Sequence, residues 1–334
     1  MVETEEKLET IEVVKRNGKK VEFDGTKVAL AIKKGFDSIL IDKGLTINDI
    51  EKAKSILLRE NYFFVTGYRF LFVKSYTDRK FNKGTTFEEL YAMFIFDRQL
   101  RNILFKNILV FENNLKSIMA YVMSKNHGYK EKNYLNKNNF VHDYTKTRQI
   151  NDLIHKMKRQ ISINGKQHSA TSHFIDNYGY IPLWVVVKVL SFGIVGELYT
   201  VLQNEDKREI ADIFNIDIDS FQSYLPILAN YRNLCAHEDI CYNNKTQIVI
   251  NNTIYHKLLN IPKMDGEYIY GKNDLFALII ILKRILNADD FNLFIKEIDY
   301  ELDILSGKLH SIDIDKVLDA MGFPINYREI ERMD

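Results

Sequence analysis

The sequence has 334 residues, of which 46% are hydrophobic, and this content argues against a disordered or fibrous chain. Lys and Arg number 46 against 45 Asp and Glu. The resulting net charge of +1 excludes a globally basic nucleic-acid coat but permits a local basic patch. The chain has 15 Gly and 4 Pro, where average usage gives about 23 and about 17. Because these residues interrupt helices, their scarcity predicts a mainly α protein.

Several features bear on the compartment. Cys235 and Cys241 form neither a disulfide framework nor a metal cage by themselves, and we expect ordinary thiols. The acidic residues 1–6 do not resemble a secretory signal. The longest apolar stretch, 181–195, contains Lys188 and is too short to span a bilayer. These features predict a soluble cytoplasmic protein without a membrane partner.

Residues 1–45 differ from the rest and are interpreted as an N-terminal hairpin-helix appendage. Two β-type stretches flank Asn17-Gly18, a dipeptide that accepts positive φ and predicts a hairpin. Apolar residues at helical spacing predict a helix over 26–39. The segments Val14-Lys15-Arg16-Asn17-Gly18 and Phe23-Asp24 resemble the start of an ATP-cone, the nucleotide-binding regulatory module of ribonucleotide reductases. Nucleotide binding is therefore one interpretation, and a small structural appendage is the preferred one.

From about residue 46 the pattern is helical. Asn48-Asp49-Ile50-Glu51 predicts a helix start. The dense aromatic stretch 62–70 either stacks on bases or, as is commoner, packs in a core. Apolar residues at three- and four-residue steps predict a long helix over 86–124. Glu112 and Lys116 lie four residues apart within it and read as a surface ion pair.

The polar stretch 125–173 is expected to contain loops, and it carries a local excess of positive charge. Between Lys146 and His168 six cations stand against the single acid Asp152: Lys146, Arg148, Lys156, Lys158, Arg159 and Lys166. They predict either a phosphate-binding surface for RNA or a solvated helix face.

The remaining apolar periodicity predicts further helices. One begins at Pro182 and ends near Phe192-Gly193, and the next contains Leu198 and Leu202. Another covers about 221–237, and the tail from Asp274 forms a helix followed by an acidic amphipathic stretch.

The segment 230–238 combines side chains that suit a phosphate. Arg232 lies five residues before His237, and Asn233 lies four residues before it, on the same helix face. Arginine offers forked donors to phosphate oxygens, and histidine exchanges a proton near neutral pH.

These groups match the needs of RNA cleavage. RNA supplies its own nucleophile, the 2′-hydroxyl, so a ribonuclease needs a base, an acid and positive charge at the phosphate. The sequence has no HExxH motif, CxxC pair or clustered carboxylates, and we expect neither a metal nor another cofactor. One motif histidine per chain predicts a symmetric homodimer that brings two of them into one cleft.

Seven segments occur in order along about residues 46–330: Asn61-Tyr62 with Tyr68-Arg69, Phe96-Asp97-Arg98-Gln99-Leu100-Arg101, Glu112 with Lys116, Pro182-Leu183-Trp184, Ser191-Phe192-Gly193, Arg232-Asn233-x-x-Ala236-His237 and Met321-Gly322-Phe323-Pro324. The sixth resembles the signature of the HEPN superfamily, whose members are helical and often metal-independent ribonucleases acting as dimers. The order resembles the AbiD/AbiF-type abortive-infection proteins of bacterial phage defence.

The resemblance implies a HEPN-like helical bundle with additional helices over residues 46–334. It implies that Arg232 and His237 are the catalytic pair, that Asn233 is the polar residue of the motif, and that Glu112 and Lys116 support the arginine. It also implies RNA cleavage or RNA binding, growth arrest on infection and, for AbiF-like members, a structured RNA antitoxin. No DNA partner is expected.

The sequence departs from the family at two places. The hairpin-like N-terminus replaces the usual lead-in, and Tyr242-Asn243 follows the histidine where Trp-Asn is commoner. Neither departure touches the proposed chemistry, but both leave the partner open.

Two hypotheses follow for function. In the first, the protein is a toxin-like endoribonuclease, with His237 as general acid and base, Arg232 as phosphate clamp and Asn233 orienting the histidine or the substrate. In the second, the same fold is a non-catalytic RNA-binding module that sequesters RNA or scaffolds a partner. A lone His237 with a structural role in a helical core is the alternative to both, and His173 near Tyr178 is expected to be structural or to contact RNA.

Overall fold

Helices make up most of the structure, which confirms the mainly α prediction. The computed structural model describes residues 12–14, 20–22, 43–60, 63–75, 77, 80–165 and 167–333. The chain divides into two compact units. The first comprises Met1–Phe94 with Lys308–Ile312, and the second comprises Ile95–Gly307 with Asp313–Asp334.

The first unit contains the predicted hairpin. Strands β1 (Glu12–Val14) and β2 (Lys20–Glu22) pair antiparallel, with Val13 opposite Val21. The turn residues Asn17 and Gly18 and the predicted helix 26–39 lie outside the described residues. Nucleotide binding, the appendage and its boundary after residue 45 therefore stay predictions.

The aromatic stretch of the first unit packs in a core. Helix α1 (Ile50–Glu60) begins where Asp49 accepts a hydrogen bond from the backbone N–H of Lys52. Helix α2 (Phe63–Tyr68) buries Phe64, whose ring centroid lies 5.0 Å from that of Phe94. Phe64 and Tyr68 are buried, so the interpretation of residues 62–70 as core packing holds for these two. Phe63 is exposed, and Tyr62 lies outside the described residues.

The predicted long helix is confirmed as α3 (Phe87–His127), which begins in the first unit and continues in the second. Thr86 and Glu89 form a reciprocal cap at its start, because Glu89 accepts from the N–H of Thr86 and Thr86 accepts from the N–H of Glu89. Its apolar stripe, including Leu104, Ile108 and Leu115, is fully buried.

The second unit continues with helices and one small hairpin. In chain order they are α4 (Glu131–Tyr134), α5 (Thr147–Asn164), α6 (Ser169–Tyr178), α7 (Leu183–Val189), α8 (Phe192–Val201), α9 (Asn204–Asp212), α10 (Ile218–Ala236), α11 (Ile254–Leu258), strands β3 (Lys263–Met264) and β4 (Glu267–Tyr268), α12 (Leu275–Ile285), α13 (Ala288–Ser306) and α14 (Ile314–Met321). Helix α12 is almost entirely buried. Helix α8 packs against both α5 and α10. Within the described residues, none of the helices combines the length and apolarity needed to cross a bilayer.

One predicted boundary was wrong. Phe192-Gly193 begins α8 instead of ending the preceding helix. The reason is that Leu190 and Ser191 are extended and end the preceding helix, and Ser191 Oγ then caps α8 by accepting from the N–H of Ile194. The polar stretch 125–173 contains loops, as expected, and helix α5 runs through its middle. That helix forms because Ile150, Leu153, Ile154 and Met157 give it a buried face.

Candidate functional site

The motif segment forms the C-terminal end of helix α10. The helix begins where the Asp217 side chain accepts from the N–H of Ser220 at 2.8 Å, and it ends at Ala236. His237 is the first residue past the helix, and its backbone N–H still donates to the carbonyl of Asn233 at 3.0 Å. The motif thus begins inside a regular helix and ends on its cap.

Arg232 points from α10 towards helix α3. Its Nε lies 3.4 Å from Glu112 Oε2, and its guanidinium carbon lies 5.7 Å from the centre of the Phe105 ring. The other carboxylate oxygen of Glu112 accepts from Lys116 Nζ at 2.6 Å. The three residues that the sequence associated with each other therefore meet in one charge cluster.

The interpretation of Glu112 and Lys116 as a surface pair was wrong. Their side chains are only 5% and 11% exposed, because α3 is covered along this face by its neighbours. Removing charges from water is costly unless each charge is paired. Loss of either partner would therefore leave the other charge buried and unpaired, which costs far more than breaking a surface ion pair.

The charge cluster leaves part of Arg232 available. Two cations share the single carboxylate of Glu112, and the Arg232 side chain is partly exposed. Within the described part of the chain, the two terminal nitrogens of Arg232 have no hydrogen-bond partner. The guanidinium is thus held through one nitrogen and keeps its fork for a ligand.

His237 and Asn233 are exposed, and within the described part of the chain no side-chain hydrogen bond joins either of them to Arg232. Glu238, the next residue, has φ of 58°, and the N–H of Asp239 donates to the carbonyl of Leu234 at 3.2 Å. This left-handed turn ends the helix directly after the histidine. The His237 ring makes no hydrogen bond to any residue that the structure describes, which differs from a structural histidine satisfied inside a core.

A buried ion pair that the sequence analysis gave no role holds the segment after His237. Asp97 accepts from the N–H of Cys241 at 3.1 Å and of Tyr242 at 2.8 Å, and from Arg101 at 2.5 Å. Arg101 also donates to the carbonyl of Asp239 at 3.2 Å. Asp97 and Arg101 were visible only as part of the family segments. An acid and a base four residues apart in an apolar helix were the signal for their importance.

Cys235 and Cys241 are free thiols, as expected, and both are buried. Burial raises the pKa of the Cys241 thiol, and a hydrogen bond with Cys235 raises it further. The Cys241 thiol is therefore protonated at neutral pH and a poor nucleophile.

A groove of about 630 Å³ opens beside the motif helix. Its lining comes from α5, α8, α10 and Ile248. Apolar residues and glycines alternate there with uncharged polar side chains such as Gln149 and Asn233, and the charged lining residues, Glu197 and Asp219, are both acidic. Its volume falls in the range of small-molecule sites. Among the motif residues, only Asn230 and Asn233 line it.

The predicted cation surface lies on α5 and the turn before it, but only part of it is unpaired. Lys156 Nζ lies 2.7 Å from Glu197, and Lys146 Nζ donates to the carbonyl of Thr200 at 3.2 Å. Arg148 lies 3.9 Å from Asp152. Lys166 lies outside the described residues. Lys158 and Arg159 are exposed and have no ion pair within the described part of the chain.

No metal site is formed by the described side chains, since nowhere among them do three or more His, Cys, Asp or Glu residues cluster.

Comparison with known proteins gives one result. No curated protein and no solved structure matches the chain. A family model described as "Abi-like protein" matches residues 55–243, more than half of the sequence, including Glu112, Arg232 and His237. The chain belongs to the Abi-like protein family.

Proposed function

We propose that this protein is a toxin-like, metal-independent endoribonuclease of the HEPN type, close to the AbiD/AbiF group. Its family indicates abortive infection, the defence in which an infected bacterium arrests its growth and limits the phage. The observation that carries the proposal is the hydrogen bonding of the Arg232 guanidinium. Glu112 holds one nitrogen of the guanidinium, and the two terminal nitrogens remain for a phosphate, on the helix that ends in exposed His237.

The proposed reaction needs only protein side chains and the RNA itself. His237 takes the proton from the 2′-hydroxyl, and the 2′-oxygen attacks the neighbouring phosphorus. The bond from phosphorus to the 5′-oxygen breaks, and a protonated histidine returns a proton to that oxygen. Arg232 binds the phosphate oxygens as their negative charge develops. The products are a 2′,3′-cyclic phosphate and a free 5′-hydroxyl.

A homodimer completes this proposal. Each chain contributes one motif histidine, whereas the reaction uses a base on one side of the phosphorus and an acid on the other. A two-fold interface places equal motifs opposite each other. The second histidine and the second arginine would then come from the partner.

The test is incubation of purified protein with total cellular RNA in EDTA. We expect fragments ending in 2′,3′-cyclic phosphate, and we expect their formation to stop in His237→Ala. His142→Ala, which changes an exposed histidine outside the motif, serves as the matched control and keeps full activity. Cleavage that requires Mg²⁺, or that survives in His237→Ala, contradicts the proposed chemistry.

The second candidate function is a non-catalytic RNA-binding module. The exposed, unpaired Lys158 and Arg159 favour it, because they offer charge to a phosphate backbone without a catalytic group. In this case the double variant Arg232→Ala/His237→Ala still arrests growth. Charge reversal at Lys156, Lys158 and Arg159 abolishes RNA binding, including binding of a structured antitoxin RNA.

A further inference from the structure

A row of partly exposed aromatic rings lies in the second unit, away from the motif residues in sequence. It consists of Trp184, Tyr129, Tyr180, Tyr178 and Phe174, which we call the aromatic row. Successive ring centroids are 5.4, 5.8, 6.3 and 5.4 Å apart. Tyr178, Trp184 and Tyr129 are 58%, 45% and 40% exposed. Large aromatic side chains normally bury most of their surface, so a contiguous row of exposed rings indicates a ligand.

The backbone beneath the row is fixed. Gly179 has φ of 72° and turns the chain sharply between Tyr178 and Tyr180. The N–H of Leu183 donates to the carbonyl of Tyr129 at 3.1 Å, which joins the start of α7 to the turn that follows α3. The Tyr134 hydroxyl donates to the carbonyl of Ile181 at 2.9 Å. The rings are thus presented on a rigid base, which lowers the entropic cost of binding a ligand.

Two lysines accompany the rings. Lys130 Nζ lies 4.6 Å from the centre of the Tyr180 ring. On α7, Trp184 and Lys188 are four residues apart and are both exposed, whereas Val185, Val186 and Val187 between them are buried. Two acids lie nearby. The Glu131 carboxylate accepts a hydrogen bond from the N–H of Ile181, and the Asp176 carboxylate accepts one from the Ser172 hydroxyl.

We infer that the aromatic row is a stacking surface for the unpaired bases of single-stranded RNA, with Lys130 and Lys188 contacting the phosphates. Bases present flat π-faces that stack on exposed aromatic rings, and each base is joined to a phosphate that a lysine can neutralise. A purely apolar partner would leave these lysines without a role. The inference rests on RNA as the ligand of the proposed function, and it narrows the substrate to strands whose bases are not paired.

Trp184 is the only tryptophan of the chain, so its fluorescence reports on the aromatic row alone. The full-length His237→Ala protein is titrated with an unstructured oligoadenylate of about 12 nucleotides, a length typical of single-strand sites. We expect quenching of Trp184 on binding. We expect Tyr129→Ala and Tyr178→Leu to weaken affinity about tenfold or more, since each removes a stacked ring. Tyr129→Phe, which keeps the ring, retains the affinity.

Tyr300→Ala is the matched control, because Tyr300 is exposed on α13 outside the row and its loss should not change binding. RNA that binds without quenching Trp184, or with equal affinity for Tyr178→Leu, overturns the inference. Trp184 fluorescence that depends on protein concentration without RNA also overturns it, because the row is then a contact between copies. The outcomes separate the two proposals. Cleavage by the wild-type protein without quenching rejects the aromatic row alone, and quenching without any cleavage rejects the catalytic proposal alone.

Discussion

Glu112 and Arg232 are 120 residues apart in the sequence, and their side chains meet at 3.4 Å between helices α3 and α10. Glu112 simultaneously accepts from Lys116 at 2.6 Å. One carboxylate therefore compensates a buried lysine and positions an arginine that keeps its terminal nitrogens for a ligand. Stability and the proposed function depend on the same side chain, and they can be separated by mutation.

Glu112→Ala is expected to lower the free energy of unfolding by about 3–5 kcal/mol, because it leaves the nearly buried Lys116 without its partner. Urea denaturation measures this loss. The double variant Glu112→Ala/Lys116→Met removes the unpaired charge as well and should recover much of the stability. RNA cleavage should stay low in the double variant, because Arg232 has still lost its support. Equal stability of the single and double variants would show that burial of Lys116 is not what makes Glu112 necessary.

Asp97→Ala is expected to destabilise the protein by about 3–5 kcal/mol, because Arg101 is then buried without its carboxylate. The N–H groups of Cys241 and Tyr242 also lose their acceptor, so their amide hydrogens should exchange faster with solvent. Hydrogen exchange measured by NMR or mass spectrometry tests both expectations.

The matched control for Asp97 is Asp152→Ala. That residue pairs with exposed Arg148 at 3.9 Å, and its loss should change stability by less than about 0.5 kcal/mol. Unaltered exchange at Cys241 and Tyr242 in Asp97→Ala would mean that Asp97 does not hold the segment after His237.

The sequence predicts the helices well and their contacts poorly, for a physical reason. Apolar spacing predicted a helix over 86–124, and α3 covers Phe87–His127. The same spacing of four residues joins Glu112 to Lys116 whether the pair is exposed or buried, and only the neighbouring helices decide which. The contacts of Asp97 were beyond sequence reasoning, since its acceptor oxygens bind backbone N–H groups 144 and 145 residues away.

One turn was missed although its signal was present. Asp265-Gly266 joins strands β3 and β4, with φ of 51° and 87°. This is the type of dipeptide that predicts a hairpin, as Asn17-Gly18 did near the N-terminus. The strands have two residues each, too few to show alternation between apolar and polar positions.

Gly322→Ala is expected to destabilise the protein by at least about 2 kcal/mol. Gly322 ends helix α14 with φ of 75°, and a Cβ there would overlap the carboxylate of Asp274. That carboxylate caps α12 by accepting from the N–H of Ala277 at 3.0 Å, and it also accepts from Gly271. The Met-Gly-Phe-Pro segment thus requires glycine because the cap of another helix lies against it.

Gly266→Ala separates the steric effect from the backbone effect. Gly266 has φ of 87°, but a Cβ there meets no atom within 4 Å. Its replacement should cost only the left-handed backbone, about 1 kcal/mol. Thermal unfolding of both variants gives the comparison, and equal losses would show that Asp274 moves aside without cost.

The stability of the protein should depend on pH through the buried His256. Its Nδ1 lies 3.0 Å from the N–H of Thr253, and its Nε2 lies 2.9 Å from the carbonyl of Gly271. Burial lowers the pKa of His256, and nearby Lys272 lowers it further. The unfolded chain therefore takes up a proton near pH 6.5 before the folded protein does. The free energy of unfolding should fall as pH drops below that value.

Asp274 works in the opposite direction, because burial raises its pKa to about 6. The folded protein then binds this proton before the unfolded chain does, and stability rises as pH falls through 6 towards 3.8. Total stability alone would mix the two effects, so each residue needs its own variant. His256→Gln removes the first slope, and Asp274→Asn removes the second. Urea midpoints at about pH 5 and about pH 7.5 should show the wild type losing stability relative to His256→Gln on acidification. A stability difference that is the same at both pH values would mean that His256 does not titrate differently in the folded and unfolded chains.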